Sequence, residues 1–363
     1  MLNANCNAEC QKNTVYCIEI KRYQSGMTIA FILITSIKKE CIVKKYLVTG
    51  GCGFIGSHLV DSLINDGHQV RILDDLSTGK RENVPDDCEI VLGDVTDSEL
   101  VKACMHDIDG CFHLAAIVSV QQSNDDWVRT HQVNLTGTIN IFDACKKHKV
   151  PVVYASSSAV YGDNAETPLK ETSGVRPLTA YGADKLGSEL HAKVASLVHG
   201  VPTTGMRFFN IYGPRQNPDS IYSGVISIFV DRVLKQKALS LYGDGEQTRD
   251  FVYVDDAVRF MRSAMKNNCC IPTTFNVCTG ESITIKQLAK TVMSIAGISV
   301  PLNQLKPRVG DIRISVGDAS DAKQRLKVSA EKSFSQGLRL LVEFTKENSI
   351  FGNKQNVAYK KSM

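Results

Sequence analysis

Tyr46-Leu-Val-Thr-Gly-Gly-Cys-Gly-Phe-Ile-Gly-Ser-His-Leu-Val60 decides the fold. A β-rich run meets a glycine cluster, after which Ile55, Leu59, Val60, Leu63 and Ile64 recur at helical spacing before Asp66-Gly67. That is strand, tight turn, helix and stop. Gly50, Gly53 and Gly56 give G-x-x-G-x-x-G at the junction, where small residues let the backbone and a helix N-terminus approach a pyrophosphate. A lone glycine triplet says little, because turns are glycine-rich. The strand before it and the helix after it make a dinucleotide site the stronger reading.

Outward from this unit the pattern repeats. Val70-Arg-Ile-Leu-Asp74, Glu89-Ile-Val-Leu and Gly110-Cys-Phe-His-Leu read as strands, Ile139 to Lys147 as a helix, Val152-Val-Tyr-Ala as a buried strand, and Tyr181 to His199 as a long helix. Strands alternating with helices imply an α/β fold with a doubly wound, Rossmann-like parallel sheet, since each crossover must pass over a sheet face. After about residue 208 the alternation loosens around Tyr212-Gly-Pro-Arg-Gln-Asn-Pro218 and Tyr242-Gly-Asp-Gly245. A smaller, interleaved α/β substrate domain is expected there. The expected boundaries are 44–207 with about 250–276 and 319–345 for the cofactor domain, about 208–249 with 277–318 for the substrate domain, and 346–363 as a tail.

The 363 residues are 43% hydrophobic and 22% charged, enough apolar material for one large or two ordinary domains. Of the formal +4 charge, residues 1–43 carry +2 and residues 346–363 carry +3, leaving the middle near −1. The basicity sits in the ends, so no nucleic-acid footprint is read. Twelve cysteines without a CxxC pair or a His/Cys cluster at ligand spacing read as scattered thiols of a cytoplasmic protein, with no metal site. The apolar run Met27–Ile37 is far short of the ~20 residues of a membrane span, and it lies late for a signal peptide. Three readings of residues 1–42 stay open: an amphipathic addition, a membrane anchor, or sequence outside the native protein, with Val43 standing at an alternative start. Disorder is also compatible with this extension.

Asp74 closes the second strand about 20 residues beyond the glycines, where an acid accepts hydrogen bonds from ribose hydroxyls and repels the extra phosphate of NADP. NAD is therefore favoured, against the alternative that Asp74 or Asp75 caps a turn. Asp94 after the third strand either meets the adenine amino group or starts the Asp94-Val-Thr-Asp97 turn. Tyr181-Gly-Ala-Asp-Lys185 puts a phenol and an ammonium one helical turn apart on one face. A phenol is a poor base near neutrality, with an ordinary pKa of about 10. A neighbouring cation favours the phenolate, so the pair makes a usable acid/base. Ser156-Ser157-Ser158 follows a strand at the C-terminal edge of the sheet, where a hydroxyl can bridge substrate and phenol, or form an ordinary Ser-rich turn.

Taken together, TGGCGFIG, LDDLSTG, GDVT, FHLAA, VNLTGT, ASSSAVYG, YGADK, RFFNIYG and PRVGD resemble the successive motifs of extended short-chain dehydrogenases/reductases, over roughly residues 44–345. They are most similar to the UDP-hexose and UDP-N-acetylhexosamine 4-epimerase branch. The resemblance implies that Phe54, Ile55, Asp74, Asp75, Ser77, Thr78, Gly79, Asp94, Val95, Leu114, Ala115, Ala116 and Phe209 line NAD. It implies Ser157 as the active-site hydroxyl, Tyr181 as base, Lys185 on the nicotinamide ribose and Asn134 completing the group. It further implies that Ser158, Asn210, Gly224, Val225, Tyr242, Arg249, Arg308, Asp311 and Ser315 contact the UDP-sugar, arginine forks suiting phosphate oxygens. Viewed alone, each arginine reads as a surface ion-pair partner.

Some positions depart from the pattern. Val118 replaces a Lys common in galactose epimerases, and the usual Gly and Pro are missing from the turn after Leu326. A dehydratase or decarboxylase of this superfamily would resemble the chain but carry an acid beside the active-site hydroxyl, where Ser158 and Ala159 stand. A uronate epimerase is a further alternative, and a non-catalytic NAD-binding module is a rival of another class. Loss of the Ser, Tyr or Lys would mark such a module, and all three are present. The expected activity is a non-redox 4-epimerisation of a UDP-sugar by a homodimer, in nucleotide-sugar metabolism and polysaccharide biosynthesis.

Overall fold

The computed structural model describes residues 14–18, 34–38, 43–217, 224–268, 271–307 and 312–361. Contacts divide the chain into two units, Met1–Val43 and Lys44–Met363. In the first, β1 (Thr14–Ile18) and β2 (Ile34–Lys38) pair antiparallel, Thr14 opposite Lys38. The rest of the extension lies outside the described residues.

The second unit opens with β3 (Lys45–Thr49), α1 (Phe54–Asn65), β4 (Gln69–Asp74), β5 (Glu89–Leu92), α2 (Ser98–Cys104) and β6 (Gly110–His113). There follow α3 (Val120–Asp125), α4 (Trp127–His131), a π-helical segment (Gln132–Thr136), α5 (Gly137–Cys145), β7 (Val152–Ser157), α6 (Ala180–Leu197) and β8 (Thr203–Phe208). Then come β9 (Asn210–Tyr212), α7 (Val225–Leu234), β10 (Leu239–Tyr242), β11 (Thr248–Arg249), β12 (Phe251–Tyr253), α8 (Val254–Lys266) and β13 (Thr273–Val277). The chain continues through β14 (Ile283–Thr284), α9 (Ile285–Ala296), β15 (Leu302–Leu305), β16 (Ile314–Ser315) and α10 (Phe334–Lys361).

Seven strands form one parallel sheet in the order β13-β8-β7-β6-β3-β4-β5. The order reverses between β3 and β6, and a sheet that winds outward both ways opens a crevice there at the strand C-termini. Strand alternation feeds both faces. Tyr46 and Val48 pack with Leu59, Val60 and Leu63 of α1 and Phe260 and Met261 of α8, whereas Leu47 faces Ile141 and Phe142 of α5 and Ala192 and Ala195 of α6. The expected helix from Ile139 begins earlier, at Gly137, and runs back through the π segment into α4.

A third core joins Phe229, Val230 and Val233 of α7, Leu288 and Val292 of α9, and Leu338, Leu341 and Val342 of α10. The stretch 319–345, expected with the cofactor domain, is therefore divided. Ala322 and Leu326 join the α1/α8 face, but the apolar stripe of α10 is buried against α7 and α9. The missing glycine after Leu326 has a consequence: Lys327 takes φ 56°, a left-handed conformation that strains a residue with a Cβ. Small paired strands, β10 with β15, β9 with β12, and β11 between β14 and β16, lie beyond the large sheet.

Candidate active site

The crevice is lined first by the turn between β3 and α1. Gly50 has φ 69°, and a Cβ there would stand 2.8 Å from the Ala115 nitrogen, so the β3 and β6 ends meet only because it is glycine. A Cβ on Gly56 would collide with the Gly50 carbonyl oxygen. The N-cap of α1 is Gly53, which supplies no side-chain cap, and the first turn carries no acid. Its amides and helix dipole therefore face the crevice uncompensated, which suits a pyrophosphate. Asp74 is buried at the end of β4, with one oxygen 2.9 Å from the Cys52 N–H and the other 2.9 Å from the Leu76 N–H. Burial pushes its pKa up, and these two hydrogen bonds oppose the shift. A Cβ on Gly79 would lie 2.9 Å from the same carboxylate, so glycine leaves the space over it that a ribose would fill. The residues present fit NAD.

Asp75 binds the Ser77 N–H and hydroxyl in an exposed Asx turn, shaping the loop that ends at Thr78 and Gly79. Asp94 accepts from the Thr96 N–H at 2.8 Å and pairs with Arg129 of α4, which with that bond holds its carboxyl below the usual range. The turn reading of Asp94 is thus the one these contacts support. Val95 packs under Gly137, and Leu114, Ala115 and Ala116 continue from β6.

Thr179 caps α6 by accepting the Gly182 N–H at 3.0 Å, which aims the first turn at the crevice. The Tyr181 phenol hydrogen-bonds Ser157, and the Ser157 hydroxyl accepts the Ala159 N–H at 3.1 Å. Lys185 Nζ stands 5.7 Å from the Tyr181 ring centroid. The three expected groups are therefore brought together. Burial raises the phenol above its ordinary value, with the Ser157 bond pulling the other way, and burial lowers Lys185 to about 8. Lys185 is thus cationic at neutral pH. Asn134 sits in the π segment, its side chain exchanging bonds with Ile117 N–H (2.8 Å) and C=O (2.9 Å). Its amide pins the loop after β6.

Two supporting networks escaped the sequence reading. Glu189, two turns beyond Tyr181 on α6, accepts from Ser156 Oγ (2.6 Å) and from Arg207 of β8 through both oxygens (2.8 and 2.7 Å). Arg207 also donates to the Tyr161 hydroxyl (2.9 Å), which donates to Asn276 (2.6 Å). This buried chain ties α6 to β7 beside Ser157. A charged residue inside the apolar strand Thr203–Phe208 was the signal that could have revealed it. The second network runs from Thr49 through His113 and Thr138 to the Asn134 carbonyl.

On the substrate side, Asn210 donates through its backbone and side chain to the Asp250 carbonyl (3.0 and 3.2 Å). Arg249 stands opposite Ser315 in the β11/β16 register, and its guanidinium donates to the Thr248 and Ile312 carbonyls. Asp250 gathers these strands: fully buried, it accepts from the Thr279 N–H and hydroxyl and the Gly280 N–H at 2.7–2.8 Å. Asn210 and the Arg249/Ser315 pair are therefore joined through the Asp250 backbone, whose N–H donates to the Ser315 carbonyl at 2.9 Å. Phe209 is buried beside Tyr161, and Gly224 with Val225 opens α7 without a side-chain cap. Tyr242 lines a hollow of about 480 Å³ with Gln247, Gln304, Leu305, Pro307 and Arg313. Arg308 and Asp311 lie outside the described residues. Ser158 begins a short 3₁₀ turn behind Ser157. Cys52, Cys88, Cys104, Cys111, Cys145 and Cys278 are free thiols.

A family model described as the NAD dependent epimerase/dehydratase family matches residues 46–278. A putative UDP-glucose 4-epimerase of Methanocaldococcus jannaschii is 35% identical over 308 residues, 84% of this chain and 99% of the relative. A UDP-N-acetyl-alpha-D-glucosaminuronate decarboxylase of Bacillus cytotoxicus is 33% identical over 330 residues, 86% of this chain and 99% of the relative. Two solved structures have TM-scores of 0.81 at 35% identity, each covering 84% of this chain and 99% of its own. They are the UDP-glucose 4-epimerase of Thermotoga maritima with UDP-glucose and the UDP-N-acetylglucosamine 4-epimerase of Methanobrevibacter ruminantium with UDP-N-acetylmuramic acid.

Proposed function

The chain belongs to the NAD dependent epimerase/dehydratase family, and from that membership we propose that it is a 4-epimerase interconverting UDP-N-acetylglucosamine with UDP-N-acetylgalactosamine, alongside UDP-glucose with UDP-galactose. The observation that carries the reading is the Ser157, Tyr181 and Lys185 group at the mouth of an NAD-fitting crevice, with Ser158 and Ala159 rather than acids following Ser157. Ser157 bridges the phenol and the sugar 4-hydroxyl, and Tyr181 takes the proton from that hydroxyl. Bound NAD would supply the hydride acceptor and donor for carbon 4, held by the Gly50–Gly56 turn, Asp74 and Lys185. Lys185 supports the phenolate electrostatically and holds the nicotinamide ribose. Asn210, Arg249, Arg308 and Asp311 keep the nucleotide in place while the 4-keto sugar turns over between the two half-reactions.

At Ser158 and Ala159 no acid is available to expel water or assist loss of carbon dioxide, which favours epimerase over dehydratase or decarboxylase. Ser315 supports the acetylated substrate. It is small, nearly buried and paired with Arg249, so it leaves volume for an acetamido group where a bulky residue would fill it. A roomy pocket rejects the smaller sugar weakly, hence activity on both pairs. The test is incubation with a panel of UDP-sugars and separation of products. A 4-keto-6-deoxy sugar as main product would overturn the epimerase reading. Ser315→Tyr is expected to suppress turnover of the acetylated pair selectively, and equal loss on both pairs would remove Ser315 as the gate.

The product is an activated sugar, so a glycosyl transfer must consume it, in keeping with polysaccharide biosynthesis in the cytoplasm. No helix among the described residues is long and apolar enough to cross a membrane. Leu190, Val194 and Leu197 of α6 and its C-cap Val198 form an exposed apolar stripe, which supports a homodimer closed over that face. A monomeric mass by light scattering would refute the dimer.

A further inference from the structure

The end of β7 carries two serines with different partners on the same helix. Ser157 meets the Tyr181 phenol, whereas the buried Ser156 donates to Glu189 Oε1 at 2.6 Å. The two contacts lie about 12 Å apart along α6, at the 1.5 Å rise of each helical residue. A Cβ on Gly182 would stand 2.8 Å from the Ala159 carbonyl oxygen, so the first turn of α6 presses on the 3₁₀ turn that follows Ser157. A front contact and a rear tie hold the helix against the strand end at two points, which sets its angle as well as its distance.

The rear tie is charged and lies in a buried place. Glu189 and Arg207 are each 5% exposed, and Tyr161 and Asn276 are fully buried. A buried ion pair is often no more stabilising than apolar side chains of the same volume, so packing alone does not call for it. What the pair supplies is direction. Arg207 commits Nε and Nη2 to the two Glu189 oxygens and Nη1 to the Tyr161 hydroxyl (2.9 Å) and the Glu171 carbonyl (3.1 Å). Accepting there, the Tyr161 hydroxyl donates to Asn276 Oδ1. The Asn276 amide in turn donates to the carbonyls of Leu169 (2.9 Å) and Asp318 (3.3 Å). Leu169 is bonded to the segment after Ser315, its N–H donating to the Val316 carbonyl (2.9 Å) and its carbonyl accepting the Asp318 N–H (2.8 Å). The polar chain thus runs without a gap from the neighbour of Ser157 to the neighbour of Ser315.

We propose that Glu189 and Arg207 are positioning residues: through Ser156 they hold the Ser157 hydroxyl against Tyr181, and through Tyr161 and Asn276 they set that pair at a fixed offset from the Ser315 segment. The proposal rests on the 4-epimerase reading for its kinetic consequence only. A reacting group displaced by about 1 Å can cost about 100-fold in rate, so a chain that fixes this offset acts on turnover more than on binding.

The test uses the NAD-loaded enzyme and two variants that spare the ion pair. Ser156→Ala removes the bond from β7 to Glu189, and its kcat on UDP-N-acetylglucosamine is expected to fall at least ~10-fold while UDP affinity and NAD content stay within about twofold. The Tyr181 phenolate is followed by ultraviolet titration, with Tyr181→Phe as the blank. In Ser156→Ala it is expected at least ~0.5 pH unit higher, because a displaced Ser157 no longer favours the charged form. Tyr161→Phe keeps the ring and the Ser156–Glu189 bond but severs the link to Asn276. It is expected to lower kcat at least ~5-fold with the Tyr181 titration unmoved. An unmoved titration in Ser156→Ala, or a loss of UDP affinity matching the loss of turnover, overturns the proposal. A Tyr161→Phe kcat within twofold of the wild type overturns the reach to the Ser315 segment. Should the wild type turn over no UDP-sugar while the Ser156→Ala titration shifts, the functional reading fails and the positioning of Ser157 stands.

Discussion

His113 links acid stability to the architecture of the site. It is 2% exposed at the end of β6, with Nδ1 2.7 Å from Thr49 Oγ1 and Nε2 3.0 Å from Thr138 Oγ1. Thr49 Oγ1 already accepts the Leu114 and Ala115 N–H groups at 3.2 Å, so its proton is left for Nδ1. Thr138 donates to the Asn134 carbonyl at 2.6 Å, so its lone pair is left for an Nε2 proton. The chain closes only on a neutral imidazole protonated at Nε2, a tautomer assigned from these partners. Burial and the Lys185 charge lower His113 from 6.5 to about 3. A folded-state pKa below the unfolded one means the unfolded chain binds more protons, so stability falls as pH drops from 6.5 toward 3. At pH 5 the gap of about 1.5 pH units costs roughly 2 kcal/mol. His113→Gln keeps a donor and an acceptor but cannot charge. Urea unfolding at pH 7 and pH 5, at one NAD concentration, is expected to show the wild type losing about 2 kcal/mol more than the variant. Equal losses would show that His113 is not held neutral by this chain.

Three further outcomes are expected. Tyr181→Phe is expected to lower turnover at least ~100-fold while retaining NAD, measured by steady-state kinetics and cofactor content, and Lys185→Ala to lose cofactor as well. Near-normal turnover in Tyr181→Phe would rule out the phenol as base. Glu189→Gln leaves the Arg207 charge uncompensated in a buried site, an effect of about 3–5 kcal/mol in urea unfolding, and a loss below about 1 kcal/mol would mean the pair is solvated.

Much of the chemistry was legible in the chain because it lies in local spacings. The glycine spacing at 50, 53 and 56, the acid closing β4 and the Tyr181/Lys185 helical turn are each patterns of a few residues, and strand and helix periods placed them at the sheet edge. What sequence could not show were contacts between distant segments. Glu189 meets Ser156 and Arg207 across three elements, and His113 meets Thr49 and Thr138 across 64 and 25 residues. The resemblance put Asn134 in the catalytic group, and only the structure shows its amide on the Ile117 backbone. Leu338, Leu341 and Val342 read as part of the cofactor domain, yet pack with α7 and α9. Local order is set by short-range sterics and periodicity, which a sequence carries openly. Partner choice for a buried charge or an apolar stripe depends on which surfaces the folded chain brings within a few ångströms, and only tertiary structure decides that.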